Sequence, residues 1–503
     1  MYTVINASNS FSSRVKKPVV AMFAAAMLLS STAMVALAGQ AAAPAPAGPP
    51  SPLQDFSLVT LGDSLISTRT TSELDNPKFL AVVKAIKEGD AAFTNFEEVM
   101  PKPGTSPAAL SGDTYMSTSP HHLQDLIDMG INLIGQANNH VYDYGPQGLL
   151  DTIEETDKLK GVAAFAGVGR TLGEARQPSF FASLHGRVAL IDAASSFNED
   201  AVAGDPRPDM PGRPGLNPIR YVTTYNVDQA TFDVLKSIQG RPGVAGRYDQ
   251  GTGAVGWWGA REAQPRGPDI LVAGGRTYRL SDKPGVVRKL FQHDMDAIAR
   301  NIKDGKARAS YVLTSIHNHE NGVEPFPNPD PALGVPTTTA DFMIEFAHAA
   351  IDAGSDVYSG TGPHTLRGIE IYKGKPILYS LGDLFMQNDL VRIMPTEFYN
   401  RYQLGPETTP SEGFAARGGY ENIELSESVV AKTLFKNGKP VEVKLTPILM
   451  RLKVPGNEGR YGIPEIADAT TGARILGRLQ QMSKPFGTTI TIRNGIGYIA
   501  IAQ

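Results

Sequence analysis

From Asp55 onward the chain alternates short apolar runs with longer stretches whose apolar residues recur every three to four positions. FSLVTLG (56–62), AAFTNFE (91–97), INLIGQA (131–137), VAAFAG (162–167) and RVALIDAASSF (187–197) read as strands. PKFLAVVKAIKEGD (77–90), HHLQDLIDMG (121–130) and GPQGLLDTIEETDKLKG (145–161) read as helices between them. Such alternation predicts a largely parallel or mixed sheet covered by helices, with successive strands ending on one edge. After 290 the rhythm resumes with a helix in 294–306, a strand in 309–320 and a helix in 341–354. Hairpins are expected at Lys373-Gly374 and Asn437-Gly438, so the fold class is α/β, a mixed two-sheet sandwich with outer helices.

Residues 199–290 break the pattern. GDPRPDMPGRPGLNPIR (204–220) is rich in Pro, Gly and Arg, and Trp257 and Trp258 follow. This stretch reads as an insertion, either a lid over the sheet or a plain surface excursion.

The N-terminus carries Arg14, Lys16 and Lys17, then VVAMFAAAMLLSSTAMVALA with Ala36-Leu37-Ala38 before Gly39. A basic start, an apolar core and a small-residue site predict a cleaved signal peptide over 1–38 and export to a periplasmic or extracellular space. Residues 39–54 form a Pro/Ala linker, and 55–503 the folded domain. Cysteine is absent, which excludes disulfides, thiolate metal sites and cysteine nucleophiles. With 47 basic against 51 acidic residues, the chain lacks the basic excess that nucleic-acid phosphates require.

Polar clusters recur where the strands end: Gly62-Asp63-Ser64, Asn95-Phe96-Glu97, Asn138-Asn139-His140 with Asp143, His317-Asn318-His319-Glu320, and Gly362-Pro363-His364. Carboxylates, amide oxygens and imidazoles together suit a divalent ion such as Mn, Fe, Zn or Mg. Plain alternatives exist: Asp63 can cap a turn, and Glu97 can pair with Lys102. His121, His122, His185 and His348 fall in a helix start, a hairpin turn and a helix, and are set aside. Ser64 and Ser380 lack a base and any G-x-S-x-G elbow.

The order GD, N-x-E, NNH-x-x-D-x-G, H-x-H and G-x-x-P-H, followed by GIEIYKGKPILYSLG (368–382), resembles the bacterial capsule-synthesis family of the CapA type. That family is similar to the calcineurin-like metallophosphoesterases. The resemblance implies a four-layer α/β/β/α sandwich carrying one or two divalent ions. It also implies a role in making, exporting or anchoring poly-γ-glutamate or a related polymer. The partners implied are an anionic polymer or small-molecule substrate and a membrane-bound polymer synthase. Carried onto this chain, Asp63, Glu97, Asn139, His317 and His364 are the metal ligands. His140 assists the leaving group, Asp143 orients it, and His319 is a further contact. Two positions depart from the phosphoesterase pattern: Leu65 stands where a histidine is expected, and Gly362 where the partner of His364 is expected. The reading that remains beside a metal-dependent hydrolase is a non-catalytic envelope module that holds polymer in the same cleft.

Overall fold

The computed structural model describes residues 55–112, 114–239, 267–274, 276–322, 338–387, 390–417, 422–453 and 460–502. The signal peptide and linker expected before Asp55, and Trp257 and Trp258, lie outside the described residues. No helix among the described residues is long and apolar enough to cross a membrane.

The protein is a mixed α/β structure with several sheets. In the ten-stranded sheet, Phe56–Leu65, Ala91–Phe96, Leu133–Gly135 and Ala164–Ala166 run parallel in that order. The other side of Phe56–Leu65 is shared. Its first half pairs antiparallel with Glu427–Lys436, and its second half pairs parallel with Asp383–Met386. Beyond lie Lys439–Met450, Ile496–Ala500 and Thr491–Arg493, with Pro464–Ile466 on the long strand Lys439–Met450. The six-stranded sheet runs Ile369–Tyr372, Lys375–Leu378, Val357–Thr361, Tyr311–His317, Arg187–Ala194, Ser179–Ala182. Tyr221–Val227, Ile270–Ala273, Arg276–Leu280 and Gly285–Leu290 form a separate four-stranded sheet, with the helix Gln229–Gln239.

The period-two alternation of side chains sorts each strand into two clusters. Phe56 and Leu58 face one way, with Phe93, Leu190, Tyr311 and Leu313, so that one cluster draws on both large sheets. Phe56 stacks on Tyr311 at 4.2 Å between ring centroids, and Phe435 closes on Tyr311 at 4.6 Å. The alternate residues Val59, Leu61 and Ala92 pack against Phe79, Val82 and Ile86 of the helix Pro77–Lys87 and Leu123 and Leu126 of Pro120–Asp128. Ala189, Ile191 and Val312 likewise meet Ile298 and Ile302 of Gln292–Arg308 and Phe346 and Ala350 of Asp341–Ala353. Strands such as Ala91–Phe96 are buried at every position, which is why they read as continuous apolar runs.

Local chemistry sets the helix starts. Asn76 accepts from the backbone N–H groups of Lys78 and Phe79 ahead of Pro77. Ser119 and His122 form a capping box, so His122 serves its own helix. Both expected hairpins form, with Lys373 and Asn437 at φ 50° leading into glycine. His348 Nε2 donates to the Glu370 carboxylate at 2.9 Å and the ring stacks on Tyr372, a satisfied packing role.

Two charge clusters tie the end of the chain back. Buried Glu73 takes Arg451 at 2.7 Å and Arg460 at 2.6 Å. Glu427 takes Arg474 and Arg478 from the helix Ala469–Ser483. Burial alone would raise the Glu73 carboxyl, but its arginine and Asn76 hydrogen bonds bring it down to about 2 from 4.5. The depressed value means stability that is present above pH 4.5 and lost as pH falls towards 2. Glu73→Gln should therefore lower stability at neutral pH by up to about 3 kcal/mol, with the difference from wild type shrinking as pH falls towards 2. Urea melts at pH 7 and pH 3 measure it. Gly477, whose added Cβ meets nothing within 4 Å, gives the opposite sign: Gly477→Ala in that helix should stabilise by about 0.5–1 kcal/mol. Thermal melting checks this second change.

Candidate metal centre

The two large sheets end their strands at one edge, and there the polar clusters meet. Asp63 lies near the end of Phe56–Leu65, and Glu97 directly follows Ala91–Phe96. Asn139, His140 and Asp143 follow Leu133–Gly135. From the other sheet, His317 closes Tyr311–His317, and His364 follows Val357–Thr361.

Glu97 sits at the centre. It is wholly buried, and neither carboxylate oxygen has a hydrogen-bond partner. Three imidazoles surround Oε1: His317 Nε2 at 3.5 Å, and His140 Nε2 and His364 Nε2 each at 3.8 Å. Burial pushes the Glu97 carboxyl well above its ordinary range. His364 opposes that rise, and the charges of Asp63, Asp383 and Asp143 add to it. A buried carboxylate without partners is a costly arrangement for a structure to keep.

Around Glu97 the donors form two groups. In one, Glu97, His317 and His319 bring ligand atoms within 4.8 Å of one another. The two Nε2 atoms of His317 and His319 are 3.1 Å apart, and Asn139 Oδ1 lies 2.8 Å from His317 Nε2. Burial, followed by the neighbouring imidazoles, depresses His319 well below the usual histidine value. The other group is Asp63, His364 and Asp383. Here Asp383 Oδ1 is 2.9 Å from His364 Nδ1, and Asp383 Oδ2 has no partner. Burial works against a charged His364 ring, yet Asp383 and Glu97 outweigh it and raise the ring to about 10. Burial pushes Asp383 up to about 6. These are imidazole nitrogen and carboxylate oxygen donors in the mixture that borderline divalent ions take, so the residues fit a metal.

Asp63 is held from several sides. Its Oδ1 accepts from Asn95 Nδ2 at 2.7 Å, and its Oδ2 accepts from the backbone N–H of Gly362 at 2.7 Å. Gly362 thus contributes a backbone donor where the phosphoesterase pattern has a side chain. Its φ is 108°, and an added Cβ would stand 2.8 Å from the Asn318 backbone, so no ligand side chain fits there. Leu65 is buried among Met116, Phe398 and Phe414.

His140 and Asp143 form a pair of their own, Nδ1 to Oδ2 at 2.7 Å. Asp143 is fixed in turn by the backbone N–H groups of Gly112 and Met116, at 2.8 and 2.7 Å. Burial raises Asp143, against those bonds and His140. Lys102 pairs with Glu154 rather than Glu97.

All eight residues singled out in the sequence converge on this edge. Asp383 was missed, although a signal for it exists: Leu61-Gly62-Asp63 recurs as Leu381-Gly382-Asp383. The two tripeptides lie side by side, with Asp63 and Asp383 in register on parallel strands. Arg367 was also missed. Its buried guanidinium donates to Asn318 Oδ1, the Glu320 carbonyl and Asn321 Oδ1, each at 2.8 Å, and so fixes the segment bearing His319.

Residues 57–388 match the family described as bacterial capsule synthesis protein PGA_cap. The chain belongs to this family. It is 32% identical over 467 residues to the uncharacterized protein y4sH of Sinorhizobium fredii, across 89% of this chain and 93% of that one. A "Probable polyglutamine synthesis accessory protein" of Mycobacterium tuberculosis is 37% identical over 106 residues, 20% of this chain and 24% of that one. The PGA biosynthesis protein CapA of Bacillus subtilis is 22% identical over 283 residues, 56% of this chain and 49% of that one. The matched span of the PGA_cap family ends just after Asp383, so it contains every donor of both groups.

Calorimetric titration with Mn²⁺ or Zn²⁺ tests the two groups separately. Asp383→Asn should weaken one binding step and His319→Ala the other. Each loss should exceed the roughly 10–100-fold typical of outer-shell partners.

Proposed function

We propose that this PGA_cap protein is an exported, metal-dependent hydrolase acting on poly-γ-glutamate or a related envelope polymer, at a γ-glutamyl amide or a phosphoester. The observation that carries the reading is Glu97, a buried carboxylate without hydrogen bonds, set among imidazoles and flanked by a second carboxylate–imidazole group. The clusters that pack both sheets face to face and cover each with helices support a four-layer α/β/β/α sandwich of the metallophosphoesterase type.

In this reading Glu97, His317, His319 and Asn139 hold one divalent cation, and Asp63, His364 and Asp383 hold a second. A bound cation supplies Lewis acidity to a substrate oxygen and lowers the pKa of water beside it. The chain's own residues handle the proton. Asp143 accepts from Nδ1–H of His140 and so aims Nε2 at the cleft; the ring in its protonated form gives its Nε2 proton to the leaving group and returns to the Nδ1–H tautomer. The backbone donors on Asp143 keep that ring from turning. Neither Leu65 nor Gly362 supplies a ligand, and this favours a second reading, an accessory envelope module that binds polymer without turning it over.

Three variants decide between site and scaffold. Asn139→Ala should cut metal affinity. His140→Ala should keep the metal and lose turnover by roughly 10²–10⁴-fold, and Asp143→Asn should show a milder form of that loss. Metal content, melting temperature and rate on γ-glutamyl amides and phosphoesters are the measurements. Stoichiometric metal and polymer binding with no turnover in wild type would establish the accessory module instead.

A further inference from the structure

Asp192 takes no part in the site described above, yet it lies between the two halves of it. It belongs to Arg187–Ala194 in the six-stranded sheet and is 2% exposed. Its Oδ2 accepts from the backbone N–H of Gln136 at 2.9 Å and of Ala137 at 2.8 Å. Those two residues lie on the other sheet, where the chain leaves Leu133–Gly135 on its way to Asn139 and His140. The strand of Asp192 is paired in register with Tyr311–His317: Asp192 opposes Ser315, and Ala194 opposes His317. One carboxylate therefore ties the start of the Asn139–His140 turn to the strand that presents His317.

The neighbouring sequence is cut to fit this side chain. A Cβ on Gly135 would lie 3.0 Å from the Asp192 carboxylate, and one on Gly167 would lie 2.3 Å from Oδ2. The Asp192 carbonyl is occupied as well, accepting from Asn217 Nδ2 at 2.8 Å. Asn138 Nδ2 donates to the Gln136 carbonyl at 3.2 Å, so the clamped segment is braced against the turn that follows. The two shortest bonds to the side chain, both on Oδ2, come from the clamped backbone. Burial pushes the carboxyl up to about 7, against the pull of the Ala137 N–H, the Ser315 hydroxyl and the Gln136 N–H.

We propose that Asp192 is a positioning residue that sets the span of the cleft, fixing Asn139 and His140 relative to His317 by holding the Gln136–Ala137 backbone to the opposite sheet. This inference rests on the metal reading of the site. It is tested with the full mature chain by two measurements: hydrogen exchange at the Gln136 and Ala137 amides without metal, and Co²⁺ affinity followed by visible absorption. Asp192→Ala should speed exchange chiefly at the Ala137 amide, because the Gln136 N–H also donates to the Ala166 carbonyl at 3.0 Å, and weaken Co²⁺ binding about 10–100-fold per folded molecule. Asp192→Asn, whose amide oxygen still accepts both N–H groups, should bind Co²⁺ as wild type does. An alanine variant with wild-type Co²⁺ affinity overturns the proposal, as does an asparagine variant as weak as alanine. Should Asp192→Ala fail to fold, Gly135→Ala decides, because it crowds the carboxylate without removing it. A loss of Co²⁺ affinity supports the clamp, and an unchanged affinity overturns it. Wild-type protein that binds no Co²⁺ overturns the metal reading, and this inference with it.

Discussion

A carboxylate kept out of water without a hydrogen bond is the constraint on which the rest of this molecule turns. Glu97 can sit where it does only because imidazoles approach it from both sheets and because the walls around it are sealed. At the other end of the same strands, Phe56, Tyr311 and Phe435 meet where the two sheets pack together. The strands that supply this core supply the ligands too: Glu97 directly follows buried Phe96, and His317 directly follows buried Ile316. Core and site are thus consecutive parts of the same strands, and a disturbance of inter-sheet packing reaches the imidazoles through a short, stiff path.

Much of this was legible in the sequence, for identifiable reasons. The strand ends announced themselves because Asn, His and Asp interrupt apolar runs, and residues of that kind need partners when buried. Parallel pairing then brings them to one edge, as it does for Asp63 and Asn95, which are in register. Asp383 escaped notice because its neighbours Leu381 and Leu384 made it look like the end of a hairpin. Its strand instead leaves the six-stranded sheet and joins Phe56–Leu65 in the other. A strand that changes sheets carries no mark in its periodicity. The recurring Leu-Gly-Asp was the available clue, and its physical meaning is close approach: a Cβ on Gly62 would fall 1.7 Å from the Gly382 carbonyl.

The substitution of Gly362 for an expected ligand has a similar lesson. From sequence it is a missing side chain. In three dimensions it is a backbone N–H aimed at Asp63, in a corner with no room for anything larger. Asp383 then stands beside His364, where a donor would otherwise be lacking. Asp192 and Arg367 were opaque for another reason. Both act on backbone groups of distant segments, and only the tertiary structure says which backbone a side chain will reach.

Phe56–Leu65 occupies the interior of its sheet, but two of its three neighbours, Asp383–Met386 and Glu427–Lys436, are made late in the chain. Thr60 meets Ala431 across a separation of 371 residues. At about 5–20 residues per second of synthesis, roughly 20–75 s pass between the two. During that interval the edge of Phe56–Leu65 is bare, with its ladder groups free to recruit another chain. Such long-range closure is slow folding by nature, and it exposes an intermediate that invites aggregation or capture by a chaperone. The wide sequence span that unites the site thereby gives the nascent chain its period of greatest vulnerability.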